Sequence, residues 1–442
     1  MLQIKNLHRF VALGAMVGSV VGCSDLLTVS DPSRFTDEDL DKALPAVATG
    51  VEGDLHAVID SRINDVEILS DVMMHSGTWA GWDDIDHGRI DYNNDGRNDG
   101  GSGLLRTRFA AQDAQARFDR LEAEGETISS SLRAQVTVSE GWADLLLGMW
   151  YCEGPAGAGT AAITDMQLYA QARDKLTAAL THTGGTDFEW WARAGIARME
   201  LYLGNFAAAD AAAGAVLAGA PAGWSKDALY QTSVLSNSIV TLSTFGFNHA
   251  SAIREKWWGL VDDTELKMND PLSQSLLGLD EPDPRVEIRH EDGVLGVDGT
   301  TDFHSQWKYK LEGSDIPFTH LDEMRLIQAE VAWAAADYTT ARTILNGLRT
   351  TAGLTPIPDA MADDNAEVLT LLMNERFAEL FMEGHRMEDI RRHGLVPGLI
   401  ADGSFAGTEA TRPVKFPISV AEARDNPEME DDASVRCLPT AS

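Results

Sequence analysis

The run Asn374-Glu375-Arg376-Phe377-Ala378-Glu379-Leu380-Phe381-Met382-Glu383-Gly384-His385-Arg386-Met387-Glu388-Asp389-Ile390-Arg391-Arg392 decides how this chain is read. Glu375, Glu379 and Glu383 recur every fourth residue, with Arg376, Arg386 and Arg391 in reach along the same helix and its continuation. Such a ladder predicts ion pairs that hold helix to helix and helix to the C-terminal segment. Glu379 and Glu383 also suggest an acid/base pair. One helical turn apart and surrounded by arginines, they lack the apolar pocket that would split their pKa values, so the ladder reads as fold-determining. Gly384 and Asp389 in this run belong to the same structural signature.

Outward from it the chain reads mainly as helix. Thr36 before Asp37-Glu38-Asp39 is a helix start, and Pro45 ends that helix early or begins another. Further helices are predicted from about Leu104 to Ala123 and from Ser130 to Trp150. Gln167 to Ala218 reads as a helix–turn–helix array, and its grammar returns 132 residues later. Tyr202-Leu203-Gly204-Asn205-Phe206 with Ala209 aligns with Ala334-Ala335-Ala336-Asp337-Tyr338 with Ala341, an aromatic packing one turn before a small alanine. This is the pattern of a degenerate, tetratricopeptide-like repeat. Between the repeats, about 225–317, the chain is loop-rich with short strands. Val286-Glu287-Ile288 and Val294-Leu295 flank Glu291-Asp292-Gly293 as a hairpin, and Trp307-Lys308-Tyr309-Lys310 has strand composition. So long a loop-rich insertion points to binding.

The 442 residues carry 69 acidic against 35 basic side chains, a net charge of −34. That balance repels phosphate backbones and excludes nucleic-acid binding as a working hypothesis. Three cysteines exclude a disulfide-dense scaffold. Lys5, His8 and Arg9 precede an uncharged run from Phe10 to Gly22, too short to span a bilayer. Val20-Val21-Gly22-Cys23 resembles a bacterial lipobox, which implies a signal peptide over 1–22, lipidation of Cys23 and a tether over 23–36. An exported compartment permits a Cys152–Cys437 disulfide, and the sequence leaves that pairing open.

The 374–392 run resembles the C-terminal signature of the SusD/RagB family of outer-membrane nutrient-binding lipoproteins, roughly ER–EL–EG–R–DL–R. Other pieces fall in the same order. His320 to Glu330 is similar to a family helix with two acidic positions, Glu323 and Glu330, and Asn346 to Leu354 is similar to N-x-x-R-x-x-A-G. Asp283-Pro284-Arg285 and Phe416-Pro417-Ile418 with Asn426-Pro427 match further family segments. His320 stands where the family usually has Arg, which puts one local ion pair in question. The resemblance implies one tetratricopeptide-like domain over 37–442. It also implies an anchor in the outer membrane facing the cell exterior, capture of a nutrient, most often a glycan, and delivery to a TonB-dependent, SusC-like transporter without catalysis.

Ligand contacts in such proteins come from loops. His75-Ser76-Gly77-Thr78-Trp79-Ala80-Gly81-Trp82-Asp83-Asp84 supplies rings for sugar faces and carboxylates for hydroxyls, so Trp79, Trp82, Asp83 and Asp84 are candidate ligand residues. Rings that plug the loop onto the core account for the same segment. Trp307 is a weaker candidate of the same kind, and of Trp257-Trp258 at least one belongs to the core. Asp91, Asn93, Asp95 and Asp99 with Gly96 resemble an EF-hand-type Ca²⁺ loop, but position twelve is Ser102 instead of Glu, and a plain polar loop fits too. No G-x-S-x-G, H-E-x-x-H or phosphate-binding glycine loop is present. Two alternatives differ in kind: a helical-repeat envelope scaffold that binds proteins only, and a surface glycan hydrolase.

Overall fold

The structure, a computed structural model, describes residues 36–90, 94, 100–257, 267–268, 283–429 and 437. Two compact units are distinguished, 1–44 and 45–442. In the first, Thr36 caps helix α1 (Asp37–Asp41): its hydroxyl accepts the Asp39 N–H, and the Asp39 carboxylate accepts the Thr36 N–H. A new helix, α2 (Leu44–Leu69), then begins with Pro45 in its first turn, where no amide donor is needed. From Val58 to Leu69 every residue of α2 except Ser61 is buried, which makes it a central helix enclosed on all sides.

Strand β1 (Met73–His75) and helix α3 (Ala80–Asp86) follow, then α4 (Gly100–Ala123) and α5 (Ser130–Trp150). The short pair β2 (Glu153–Pro155) and β3 (Ala162–Thr164) leads into α6 (Asp165–Thr183), α7 (Asp187–Tyr202) and α8 (Phe206–Gly219). Helices α5 and α6 approach closely because Gly141 and Gly148, two turns apart, carry no side chain. A Cβ there would lie 2.5 Å from the Leu176 side chain and 2.7 Å from the Tyr169 ring.

The mixed segment holds β4 (Ser225–Ala228), α9 (Ser238–Ser243), β5 (Ser251–Ile253), β6 (Lys267–Met268), β7 (Glu287–Leu295), β8 (Asp302–Gln306) and β9 (Ile316–His320). The pairings of these strands are antiparallel: β1 with β5, β4 with β9, and β6–β7–β8. The hairpin exists, but its turn is not at Glu291-Asp292-Gly293. Strand β7 runs through those residues with a bulge, and the turn falls at 296–301. There Asp298 accepts from the Thr300 and Thr301 amides and the Thr301 hydroxyl, and Gly299 takes φ +72°. Residues 307–310 are irregular, not a strand.

Then come α10 (Leu321–Ala334), α11 (Tyr338–Thr351), α12 (Asn365–Glu379), α13 (Arg386–Arg392), α14 (Val396–Ala401) and α15 (Val420–Asp425). Packing runs α4–α5–α6–α7–α8–α10, and α10 meets both α11 and α12, so the helical stack continues across the inserted segment. The fold is thus the mainly helical, repeat-like scaffold read from the sequence. Among the described residues no helix is long and apolar enough to cross a membrane.

The internal repeat is reproduced bond for bond. Leu203, Gly204 and Asn205 donate to the carbonyls of Met199, Leu201 and Glu200, while Ala335, Ala336 and Asp337 donate to those of Val331, Trp333 and Ala332. Ala209 and Ala341 are both fully buried. The aromatic partners differ between the two turns: Tyr338 is half-buried and packs on the cluster that holds Ala341, whereas Phe206 is 38% exposed.

The signature residues pair differently from an intrahelical ladder. Helix α12 stops at Glu379, and positive φ at Met382 and Gly384 takes Glu383 out of the series. Most of these charges then find partners far along the chain. Glu375 pairs with Arg349 (2.9 Å) and Arg285 (2.8 Å), and Glu379 with Arg285 (3.2 Å). Arg376 meets Asp389 (2.8 Å) and Glu330, which also binds Arg392 and His393. Arg386 grips Asp71, just beyond α2, through two bonds of 2.7 and 2.8 Å. Arg391 pairs within α13, with Glu388, whose carboxylate also meets Lys415 (3.2 Å) of the closing segment. That segment docks through Phe416, hydrogen-bonded to Trp150 and Cys152, and through Asn426 on Thr160. Cys152 and Cys437 form a disulfide. Asn346 brackets the Ile357 backbone through donor and acceptor.

Glu383 is gripped by Lys308 (2.6 Å) and His320 (3.3 Å), so the histidine takes the place of the expected arginine. Burial pulls the His320 pKa down, but Glu383, with Glu379 and Glu323, raises it to about 9.

Two predictions concern stability. Ala336 holds φ +58° where its repeat counterpart is Gly204 at +76°. Ala336→Gly is therefore expected to stabilise the protein by about 0.5–1 kcal/mol and Gly204→Ala to destabilise it by about 1 kcal/mol, read from urea midpoints. Equal and opposite assignment of the two changes would refute the shared turn. For His320, the folded pKa lies above the unfolded one. Its contribution is complete below about pH 6.5 and vanishes as pH rises through about 9. The stability gap between wild type and His320→Gln should shrink from about 3 kcal/mol at pH 6 to near zero at pH 10. A gap that does not change with pH counts against the ion pair.

Candidate functional site

The tryptophan segment is not a plain loop. Trp79 is the N-cap residue of α3, its carbonyl accepting from the amides of Trp82 (3.2 Å) and Asp83 (3.1 Å). The helix turns both rings to one side. They meet edge to face with centroids 5.1 Å apart, and His75 lies 5.8 Å from Trp82 and 6.5 Å from Trp79. Trp79 is 48% exposed and Trp82 half-buried, so Trp82 props Trp79 outward as a ledge. Burial lowers the His75 pKa against the pull of Asp86 and Asp83, which keeps the ring neutral.

The ledge is held rigidly from behind. The His75 amide donates to Asp86 (2.9 Å), the Ser76 amide to Ala250 (2.9 Å) and the Ser76 hydroxyl to His249 (2.8 Å). The turn after β7 closes over it, Asp298 donating its amide to the Ser76 carbonyl (3.0 Å). Gly77 admits no side chain, since a Cβ would stand 2.6 Å from His75 Cε1. Around this frame Phe247, Leu295 and Val297 are more than 40% exposed. They were missed by the sequence reading, since isolated apolar residues in turns carry no periodic signal.

Asp83 and Asp84 are half-exposed, but Arg89 already holds them at 2.5 and 2.9 Å, and His87 also reaches Asp83. They offer hydroxyl acceptors as part of a charged cluster, not as bare carboxylates. Trp307 stands apart from the ledge. Its ring lies under the Arg289 guanidinium (4.7 Å) and 6.4 Å from Phe245, which leads through Phe303 to His249. Trp257 is wholly buried, stacked on Phe377 at 3.8 Å. Cys23, the Ca²⁺ candidates Asp91, Asn93, Asp95 and Asp99, and Trp258 lie outside the described residues. Asn94, from the middle of that segment, is buried and donates to the Gly81 carbonyl of the tryptophan helix (3.0 Å).

Met74 faces away from His75 by strand alternation. It lines a cavity of about 550 Å³ with Arg254, Lys256, Thr301, Asp302 and Asp402 among its walls. Arg254 and the His75 amide bind the two oxygens of Asp86, so ledge and cavity share one carboxylate as a strut. Rings on one side and convergent charged and hydroxyl groups on the other are what a polyhydroxylated ligand requires. Glu379 and Glu383 take no part in this, since both are engaged in the ion pairs described above.

Among the described residues, two groups bring three metal-ligating side chains together: His290, Asp302 and His304, and His320, Asp322 and Glu379. In the second, cations already occupy the acids, Arg325 on Asp322 and Arg285 on Glu379.

Residues 288–432 match the sequence profile of the SusD family. No curated protein sequence matches significantly. The fold is similar to that of a SusD superfamily protein from Bacteroides vulgatus, with 14% identity, 89% of this chain and 99% of that one covered, and a TM-score of 0.65. A SusD superfamily protein from Bacteroides thetaiotaomicron gives 15% identity, 88% and 99% coverage and a TM-score of 0.66. A SusD-like carbohydrate binding protein from Bacteroides vulgatus gives 16%, 80% and 83%, and 0.61. The profile match spans the buried ion-pair signature, and the remaining helices share the fold of these SusD superfamily structures.

Proposed function

We propose that this protein is a lipid-anchored binding protein of the outer membrane. It captures a glycan at the cell surface and passes it to a TonB-dependent, SusC-like barrel, without breaking bonds. In this reading residues 1–22 are removed, Cys23 carries the lipid, and 23–36 form the tether that keeps the domain close to the barrel. The Cys152–Cys437 disulfide supports an exported location, because such bonds persist in oxidising compartments. The SusD family profile match over 288–432 and the carbohydrate-binding description of one structural relative support a sugar as the cargo.

The observation that carries the reading is the exposed Trp79 face, braced edge-on by Trp82 and pinned from behind by Ser76. A ring held still at the surface stacks on a sugar at little entropic cost. A scaffold that binds proteins only would have no use for a ledge beside a polar cavity.

The test is titration of the full chain with a panel of neutral oligosaccharides, repeated with Trp79→Ala and Trp79→Ala/Trp82→Ala. Loss of about tenfold in affinity for the single variant and more for the double is expected. Unchanged affinity in the double variant would remove the ledge from the binding site. Recovery of the protein from solubilised outer membranes with a stoichiometric β-barrel is the expected partner result. Recovery with envelope assembly proteins and no barrel would favour the scaffold.

A further inference from the structure

We propose that His290, Asp302 and His304 form a binding site for one divalent transition-metal ion of the zinc type. His290 and His304 are direct cross-strand partners on β7 and β8. Their rings stack in parallel, with centroids 4.2 Å apart and planes at 6°. Asp302 lies two residues from His304 on the same strand and so on the same face. Its Oδ1 is 3.2 Å from His290 Nε2, and one ligating atom from each of the three residues falls within 4.8 Å of the others.

The donor set fixes the class of ion. Two imidazole nitrogens and one carboxylate oxygen suit Zn²⁺, Co²⁺, Ni²⁺ or Cu²⁺, whereas Ca²⁺ and Mg²⁺ prefer sites built of oxygen. With bonds of about 2.0–2.1 Å, tetrahedral ligands stand roughly 3.4 Å apart. The His290–Asp302 pair already has that separation, and small side-chain rotations bring His304 in. The histidines are buried, while the Asp302 side chain is 48% exposed and lines the mouth of the 550 Å³ cavity. An ion therefore has an entry path and room for a fourth ligand. Unlike the acids of the His320 group, Asp302 has no arginine or lysine partner among the described residues.

Such an ion would rivet β7 to β8 beside the bulge, a feature that recurs next to functional sites. The adjacent turn at 296–301 carries Val297 and docks on Ser76 behind the tryptophan ledge, so metal loading would steady one wall of the proposed glycan face. The site itself stands whether or not a glycan is the cargo.

The experiment uses the full chain without a polyhistidine tag, freed of metal by chelation and titrated with Zn²⁺ by calorimetry and with Co²⁺ by visible absorption. One equivalent is expected, with the ligand-field spectrum of a low-symmetry, nitrogen-containing site. His290→Gln should weaken binding by about a hundredfold and Asp302→Asn by about tenfold, while His320→Gln leaves it unchanged. The Asp302 variant, altered at the exposed rim, keeps the test available should the buried histidine change impair folding. Absence of a stoichiometric site in the wild-type chain, or one that persists unchanged in both His290→Gln and Asp302→Asn, overturns the assignment.

Discussion

Arg386 and Asp71 are 315 positions apart, and the fold closes where they meet. The guanidinium gives the carboxylate two bonds, Lys256 adds a third at 2.9 Å, and the Trp257 indole donates to the Asp71 carbonyl. The Arg386 guanidinium also lies over Trp257 and Phe377, which stack on each other. One carboxylate thus joins the central helix, the inserted segment and the C-terminal signature. Burial alone would push Asp71 towards its neutral form, yet Arg386 and Lys256 hold it well below the ordinary range. Pairs of this kind add little net stability, because desolvation offsets attraction. Removing one partner, however, costs about 3–5 kcal/mol. What these pairs do contribute is a penalty on separation, because parting either partner leaves a charge buried and unmatched.

The same logic repeats at Glu330, where Arg392, His393 and Arg376 converge against the pull of burial, and at Glu375 between Arg285 and Arg349. Each node ties segments distant in sequence. The helical stack therefore tolerates an inserted segment of about a hundred residues, 220–320, whose described residues include Arg285 and Lys308, paired at its base with the signature. The exposed apolar side chains Phe247 and Val297 lie in its turns and Trp79 on the neighbouring helix α3, whereas the ion pairs of Arg285 and Lys308 are largely buried.

This division explains what could be read in advance. Helix α5 was legible to the residue, Ser130–Trp150, because what sets a helix is local in sequence. The turn at Gly204 and Ala336 was legible because it recurs. The ion-pair partners were not, since a period of four describes one helix and nothing in it points to Asp71 or Arg285. The hairpin was found but its turn misplaced, because Asp292-Gly293 and Asp298-Gly299 offer the same local chemistry and only pairing with β8 chooses between them. At the candidate site the two tryptophans stood out against Gly and Ser, whereas the His290–His304 pairing depends on a register that the sequence does not state.

The ion-pair network also changes how the charge should be weighed. Many arginines, among them Arg62, Arg108, Arg198, Arg349, Arg376, Arg386 and Arg412, are buried, several of them against acids in the interior. Those that meet interior acids are engaged there, and the sequence as a whole still carries a formal excess of 34 negative charges. A field of that sign disfavours anionic polymers at every approach, leaves neutral sugars untouched and raises the local concentration of divalent cations. On the proposed function, selectivity is divided: the acidic surface would sort ligands by charge before contact, and the braced ring face and the adjoining cavity would sort them by shape afterwards.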